Sequence, residues 1–426
     1  MSREQETDVL VVGAGPTGML TALALTKSGV RVRIIDKEER TAAHSYACAL
    51  HPQSLALLDR HGLAEEILAS GHRIETVAFY EGEKRQAEMR LSGLPVKYPF
   101  LVVLPQSALE ERLERQLLKT SGVRVEWNHR LSALEPGRGT VVGVVDELCE
   151  TSKGYIIREL DWEVKRTLRT RAAFVVGADG YDSGVRQSLD IECERVAEPA
   201  TFEVYEFESD GRCGDEARVV LDGDSTNVFW PLTGNRCRWS LQEANIGDFS
   251  ESHSKERTDV LLVDEAVDVK TRARVLARIQ SCAPWFKGAI KALDWSVDVQ
   301  FEPRLASQFG RDRCWLAGDA GHQALPMGMQ SVNVGLREAE DLAGRIVKIL
   351  REGGSQDLLE AYGRERRTEW QQLLGVQGGL KPRATASPWV KERSANILPC
   401  VPASGADVGL LLDQLGLDLP VREIRG

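Results

Sequence analysis

The chain has 426 residues, 42% hydrophobic and 28% charged, with a net charge of −10 and a pI near 5.4. That balance is enough for two packed globular domains, and it excludes a disordered chain, a helical membrane protein and a protein gripping nucleic acid through clustered Lys and Arg. Eight cysteines without a C-x-x-C pair signal neither a zinc site nor a dithiol centre, so no metal is expected and the thiols read as reduced and structural.

Met1 to Asp8 is polar and leads straight into an apolar run, with no cleavable leader; the cytoplasm is the expected location. Asp8 to Val12 has the pattern of a buried strand, Met19 to Ser28 that of a helix, and Val30 to Ile35 that of a second strand. Between the first two lies Gly13-Ala14-Gly15-Pro16-Thr17-Gly18. In that setting Gly13 permits a tight turn, Gly15 lets a pyrophosphate approach the backbone at a helix N-terminus, and Gly18 allows close helix packing. Asp36, with Lys37 beside it, ends the second strand, where an acid can bond ribose hydroxyls. Taken alone, this unit fits NAD as well as FAD.

Two further segments repeat the strand-to-turn pattern. Ala173 to Val176 runs into Gly177-Ala178-Asp179-Gly180, with a helix predicted from Ser183, and Cys314 to Ala317 runs into Gly318-Asp319-Ala320-Gly321-His322. Between them Phe202–Phe207, Ala217–Leu221, Asn227–Leu232 and Arg236–Gln242 read as strands of an antiparallel sheet. A loop over Gly247–Lys255 and a helix around Val260–Cys282 follow, and helical spacing dominates beyond Gly328, with a second amphipathic stretch around Leu358–Leu374. The fold expected is α/β: a discontinuous Rossmann-like FAD-binding domain (1–75, 100–195 and 300–350), an inserted antiparallel β-sheet substrate domain (76–99 and 196–299) and a helical C-terminal region (351–426).

In the order and spacing of these segments, together with Ala49-Leu50-His51-Pro52-Gln53, Leu104-Pro105-Gln106 and Pro326-Met327-Gly328-Met329-Gln330-Ser331-Val332-Asn333, the chain resembles the class A flavoprotein monooxygenases. That family includes para-hydroxybenzoate hydroxylase and the aromatic-polyketide hydroxylases. The resemblance implies that Asp319 binds the ribityl chain of FAD, that Gln106 lies beside the ribityl or isoalloxazine portion, and that Asp179 serves both FAD and the nicotinamide nucleotide or else only shapes its corner. It adds Gly318, Gly328, Met329, Ser331, Val332 and Asn333 to the flavin-binding set. If a helix starts near Met329, its amides and positive dipole end would face the flavin pyrimidine edge.

The resemblance also implies a cycle in which NAD(P)H reduces FAD, molecular oxygen adds, and a flavin C4a-hydroperoxide hydroxylates a small aromatic or polycyclic substrate, a natural product among the options. Tyr205 and Trp230, on strands of the predicted sheet, and Pro326, near the flavin, are the candidate substrate-side residues, with packing as the plainer role for Tyr205 and Trp230. Tyr46 and Gln53 stand where the family often has Arg, Met329 and Ser331 where it has Gly or another small residue, and Glu338 where it has Asp. Ser331 either faces the flavin or caps the helix; His322 either approaches the flavin or is structural. Two other functions stay open: a reductase or dehydrogenase on the same scaffold without oxygen insertion, and a flavin-bound partner protein without turnover.

Overall fold

The computed structural model describes residues 4–40, 49–153, 159–211, 214–243 and 265–419. Tyr46, Cys48, Cys213, the loop expected over 247–255 and the first residues of the helix expected from 260 lie outside them. The chain opens with β1 (Gln5–Val12), turns at its glycines into α1 (Pro16–Lys27), whose Pro sits at the first helical position, and returns in β2 (Val32–Ile35). It leaves for a hairpin, β3 (Thr76–Glu81) and β4 (Lys84–Arg90), and a helix, α2 (Gln106–Ser121), then returns in β5 (Glu159–Gly177). A second excursion supplies β6 (Ala200–Ser209), β7 (Glu216–Asp222), β8 (Ser225–Pro231), β9 (Arg236–Gln242), α3 (Glu265–Cys282) and β10 (Ile290–Phe301). The last return is β11 (Cys314–Leu316), followed by α4 (Gln330–Glu352), α5 (Asp357–Leu373), α6 (Pro388–Ile397) and α7 (Ala406–Gln414).

The centre of the larger sheet has the order β11, β5, β1, β2, with all neighbours parallel. Val9, Leu10 and Val11 are fully buried there, which is why the sequence of β1 is continuously apolar instead of alternating. Register does the decisive work. Val12 is paired with both Gly177 and Ile35, and Gly177 with Leu316, so four strands drawn from distant parts of the chain end along one edge. Ligands of open α/β sheets bind outside that carboxyl edge. β5 is far longer than its apolar tail, because the part from Glu159 to Ala172 forms an antiparallel ladder with Val141–Lys153.

The second sheet has seven strands in the order β10, β6, β9, β8, β7, β3, β4. It departs from the expected antiparallel pattern at one pair, β7 with β3, because the β3–β4 hairpin comes from an earlier excursion and joins the edge in parallel. Alternation along its strands separates two faces. Phe202, Val204, Val219, Val228 and Trp230 pack into the main core, whereas Tyr205, Phe207, Phe229 and Trp239 pack against Val275 and Ile279 of α3 on the other side. Along the acidic stretch from Glu203 to Asp224, Glu206 is the buried acid among the described residues and pairs with Arg238, whose side chain is also buried. Among the described residues no helix is long and apolar enough to cross a membrane, and no cluster of His, Cys, Asp and Glu is placed to hold a metal.

Candidate flavin site

A cavity of about 620 Å³ runs along the carboxyl edge of the larger sheet, a volume suited to a large cofactor. Gly13, Gly15, Pro16 and Thr17 line it at the start of α1. Gly13 has φ +100°, and a Cβ there would stand 2.1 Å from the Ala178 carbonyl, so the β1–α1 turn can cross the end of β5 only as glycine. No side chain caps α1, whose N-cap is Gly15, leaving the first amides for a ligand. Asp36 lines the cavity at the end of β2 and accepts the Ala14 N–H at 2.6 Å and the Glu38 N–H at 2.9 Å. A carboxylate has further lone pairs beyond those two, so ribose hydroxyls can still be bonded. Lys37 and Gln106 also line the cavity; the Gln106 amide donates to Glu110 at 2.6 Å.

Asp179 and Asp319 both face this space but are held differently. Asp179 accepts the Ser183 hydroxyl at 2.6 Å and the Val185 N–H at 3.1 Å, while Ser183 caps the short helix Gly184–Ser188. Burial raises the Asp179 carboxyl above its ordinary value against the pull of those hydrogen bonds. No hydrogen-bond donor among the described residues reaches the Asp319 carboxylate. It is open to the cavity but deep in the protein, and burial raises its carboxyl too, partly offset by the nearby His322.

The Asp319 turn is gripped from behind. Glu338, on α4, accepts the Gly318 N–H at 2.8 Å, the His322 Nε2 contact at 2.9 Å and the Trp370 indole N–H at 2.8 Å. His322 and Glu338 are both fully buried, and the His322 ring stacks on Trp370 with centroids 3.7 Å apart. Burial pushes the Glu338 carboxyl up, but the charge and hydrogen bond of His322, with the two N–H donors, outweigh it and hold the carboxyl below its ordinary value.

The third wall is the start of α4. Met329 is its N-cap and adopts the left-handed conformation at φ +53°, and no side chain caps the helix. Ser331 therefore lies inside the first turn and is not the cap. Its hydroxyl oxygen accepts the Ala324 N–H at 3.1 Å, tying the segment before Pro326 to the helix. Pro326, Met329, Ser331 and Val332 line the cavity. Two helix N-termini without side-chain caps, α1 and α4, thus face one space, with Asp36 and Asp319 among its acids. That donor and acceptor set fits a flavin dinucleotide: amides for its diphosphate and pyrimidine edge, carboxylates for its hydroxyls.

Residues 6–376 match the family described as FAD binding domain. The chain belongs to this family. It is 28% identical over 397 residues to the para-nitrophenol 4-monooxygenase of Pseudomonas sp. (strain WBC-3), which covers 90% of this chain and 87% of that one. It is 27% identical to the pentachlorophenol 4-monooxygenase of Sphingobium chlorophenolicum over 86% of its own length, while spanning only 63% of that relative. The crystal structure of a p-nitrophenol 4-monooxygenase from Pseudomonas putida superposes with a TM-score of 0.73 at 23% identity, covering 97% of each chain, a likeness of fold.

Several residues expected to touch the flavin or substrate lie elsewhere in this FAD-binding chain. Asn333 is buried with its polar atoms engaged: its amide donates to the Ala49 and Met329 carbonyls, and its oxygen accepts the His51 N–H at 2.7 Å. Gly328 meets the C-terminal segment instead of the cavity; a Cβ there would stand 2.6 Å from the Pro399 carbonyl and 2.8 Å from that of Val401. Gly18 and Gly318 support the turns from behind without lining the space. Tyr205 packs on the α3 face of its sheet and is not among the cavity-lining residues. Trp230 is on the other face but 1% exposed in the core and outside the cavity lining. Sequence reasoning missed His129, Arg130, Phe301 and Gln323, which do line it. His129 is brought in by its backbone N–H bond to the Asp36 carbonyl, a long-range pairing with no local signature.

Proposed function

We propose that the chain is an FAD- and NAD(P)H-dependent monooxygenase that places a hydroxyl group on an aromatic ring, using molecular oxygen. The observation carrying this proposal is a single cavity lined by the uncapped starts of α1 and α4, by Asp319, and by the apolar side chains of Phe301, Leu325 and Pro326. The aromatic-ring monooxygenase relatives support it, as does the FAD binding domain match.

In this proposal the first amides of α1 hold the diphosphate, Asp36 and Lys37 the adenosine side, Asp319 and Gln106 the ribityl side, and the start of α4 the pyrimidine edge. FAD, when bound, supplies electron transfer from NAD(P)H and activation of oxygen. The protein orients the ring and keeps water out, with Leu325 and Pro326 as the dry wall. Residues 1–75, 100–195 and 300–350 act as the FAD-binding unit, 76–99 and 196–299 as the substrate unit, and 351–426 as a helical region. The cytoplasm, where NAD(P)H is supplied, is the proposed location. Reconstitution with FAD, followed by turnover with NAD(P)H under 18O2, tests the proposal: labelled phenolic product is expected, and substrate-dependent oxidation without label would make the protein a reductase instead.

A further inference from the structure

The cavity has two chemically different ends. Lys37, His129 and Arg130, its cationic lining residues, gather at the Asp36 end, where the His129 N–H meets the Asp36 carbonyl. Among the described residues the rest of the lining contains no Lys, Arg or His. The Ala324 N–H bond to Ser331 sets Gln323, Leu325 and Pro326 beside the start of α4, and Phe301 belongs to the same lining. The Gln323 side-chain amide makes no hydrogen bond among the described residues, so both its donor and its acceptor are available to a ligand. Among the described residues the seven-stranded sheet contributes Phe301 alone: Phe202, Val204 and Trp230, on the face that packs into the main core, are at most 2% exposed. Phe301 is braced edge-on by Phe202, with centroids 5.8 Å apart. Among the described residues the sheet thus leaves a slot beside Phe301 and opens no chamber onto the cavity.

We infer that this end admits a single aromatic ring carrying an uncharged hydrogen-bonding group, held by the Gln323 amide between Phe301 and Pro326, and that it rejects both ring carboxylates and fused polycyclic substrates. The inference rests on the monooxygenase proposal for which end holds the ring. A carboxylate would be buried without a counter-charge, which is costly. A second fused ring would have to displace close-packed core side chains, which interiors resist.

The test is a calorimetric titration of FAD-loaded protein with phenol, 4-chlorophenol, 4-hydroxybenzoate, 2-naphthol and a tetracyclic anthracyclinone. Phenol and 4-chlorophenol should bind about tenfold or more tighter than 4-hydroxybenzoate, and the tetracycle should show no saturable binding. Phe301→Ala should let 2-naphthol in, and Gln323→Leu should weaken phenol by about fivefold, both with FAD content unchanged. Saturable binding of the tetracycle or of 4-hydroxybenzoate as tight as that of phenol would overturn the inference, as would no binding by any single-ring phenol. Phenols that bind but gain no oxygen label would leave the slot in place and defeat the monooxygenase proposal; a labelled polycyclic product would do the reverse.

Discussion

The two aspartate corners at the sheet edge look alike in sequence, each an apolar strand running into a Gly-flanked Asp, yet they are built on opposite plans. The Asp179 corner is self-contained: its hydrogen-bond donors, Ser183 and Val185, lie four and six residues on. The Asp319 corner is held from outside, by Glu338 and Trp370 on the two following helices and by the Tyr362 hydroxyl, which donates to the Leu316 carbonyl at 2.8 Å. A carboxylate committed to its own turn is structural first. One whose turn is supported by other elements is left free to meet a ligand.

Removing the outside support should have the largest effect. Glu338→Ala takes the acceptor from three donors at once and leaves His322 without its partner in the core, for an expected loss of about 3–5 kcal/mol of stability, read as a lowered Tm in both apo and FAD-loaded protein. An unchanged Tm would mean that the turn stands without Glu338. Next come the two aspartates themselves. Asp319→Ala should weaken FAD retention by roughly 1.5–3 kcal/mol, the scale of a hydrogen bond to a charged group, with little change in apo stability. Asp179→Ala should do the opposite, costing roughly 1–3 kcal/mol of stability by leaving buried donors unsatisfied. Flavin-release titrations beside chemical unfolding of the apo proteins would decide, and equal effects of the two substitutions would dissolve the contrast.

The same contrast explains what could be read from the sequence. The β1 turn, Asp36 and both aspartate corners depend on residues within a few positions of one another, so strand, glycine and acid spacing reveal them. The supports of the Asp319 and Met329 walls do not: His51 meets Asn333 across 282 positions, and Gln330 meets the Leu398 and Val401 carbonyls across about 70. Alternation separated Tyr205 from Phe202 and Val204, but which face would receive α3 is a tertiary choice that a strand's own pattern does not contain. For that reason the antiparallel sheet was legible and its substrate-side residues were not.

His51 extends the outside support to the flavin wall, its Nε2–H donating to the Gly328 carbonyl at 2.8 Å. Burial pushes its pKa down to about 3 from an ordinary 6.5, with Arg337 adding to the shift. Below the ordinary value the unfolded chain takes up a proton that the folded chain refuses, so this contribution to stability is complete above pH 6.5 and is lost as the pH falls toward 3. The slope approaches 1.4 kcal/mol per pH unit, roughly the proton-linkage limit for one group. Urea unfolding at neutral and acid pH should show it, and His51→Gln should flatten it. An acid dependence that is the same in that variant would assign the loss to other groups.

The smallest effect belongs to Ser331, which distinguishes support of the cavity wall from contact with the cofactor. Because Met329 occupies the N-cap, replacing Ser331 removes no cap; it removes the acceptor of the Ala324 N–H, next to the Leu325–Pro326 wall. Ser331→Ala keeps the helix propensity and isolates that bond, whose loss should cost about 0.5–1.5 kcal/mol. Ser331→Gly adds the helix penalty of glycine, about 1 kcal/mol. If the hydroxyl only holds the wall, FAD affinity should stay near its original value in both variants, while a looser wall admits water and more hydrogen peroxide forms for each hydroxylated product. A fall in FAD affinity comparable to that of Asp319→Ala would instead put the hydroxyl on the cofactor, and an unchanged ratio of peroxide to product would show that the 324–326 segment is held without it.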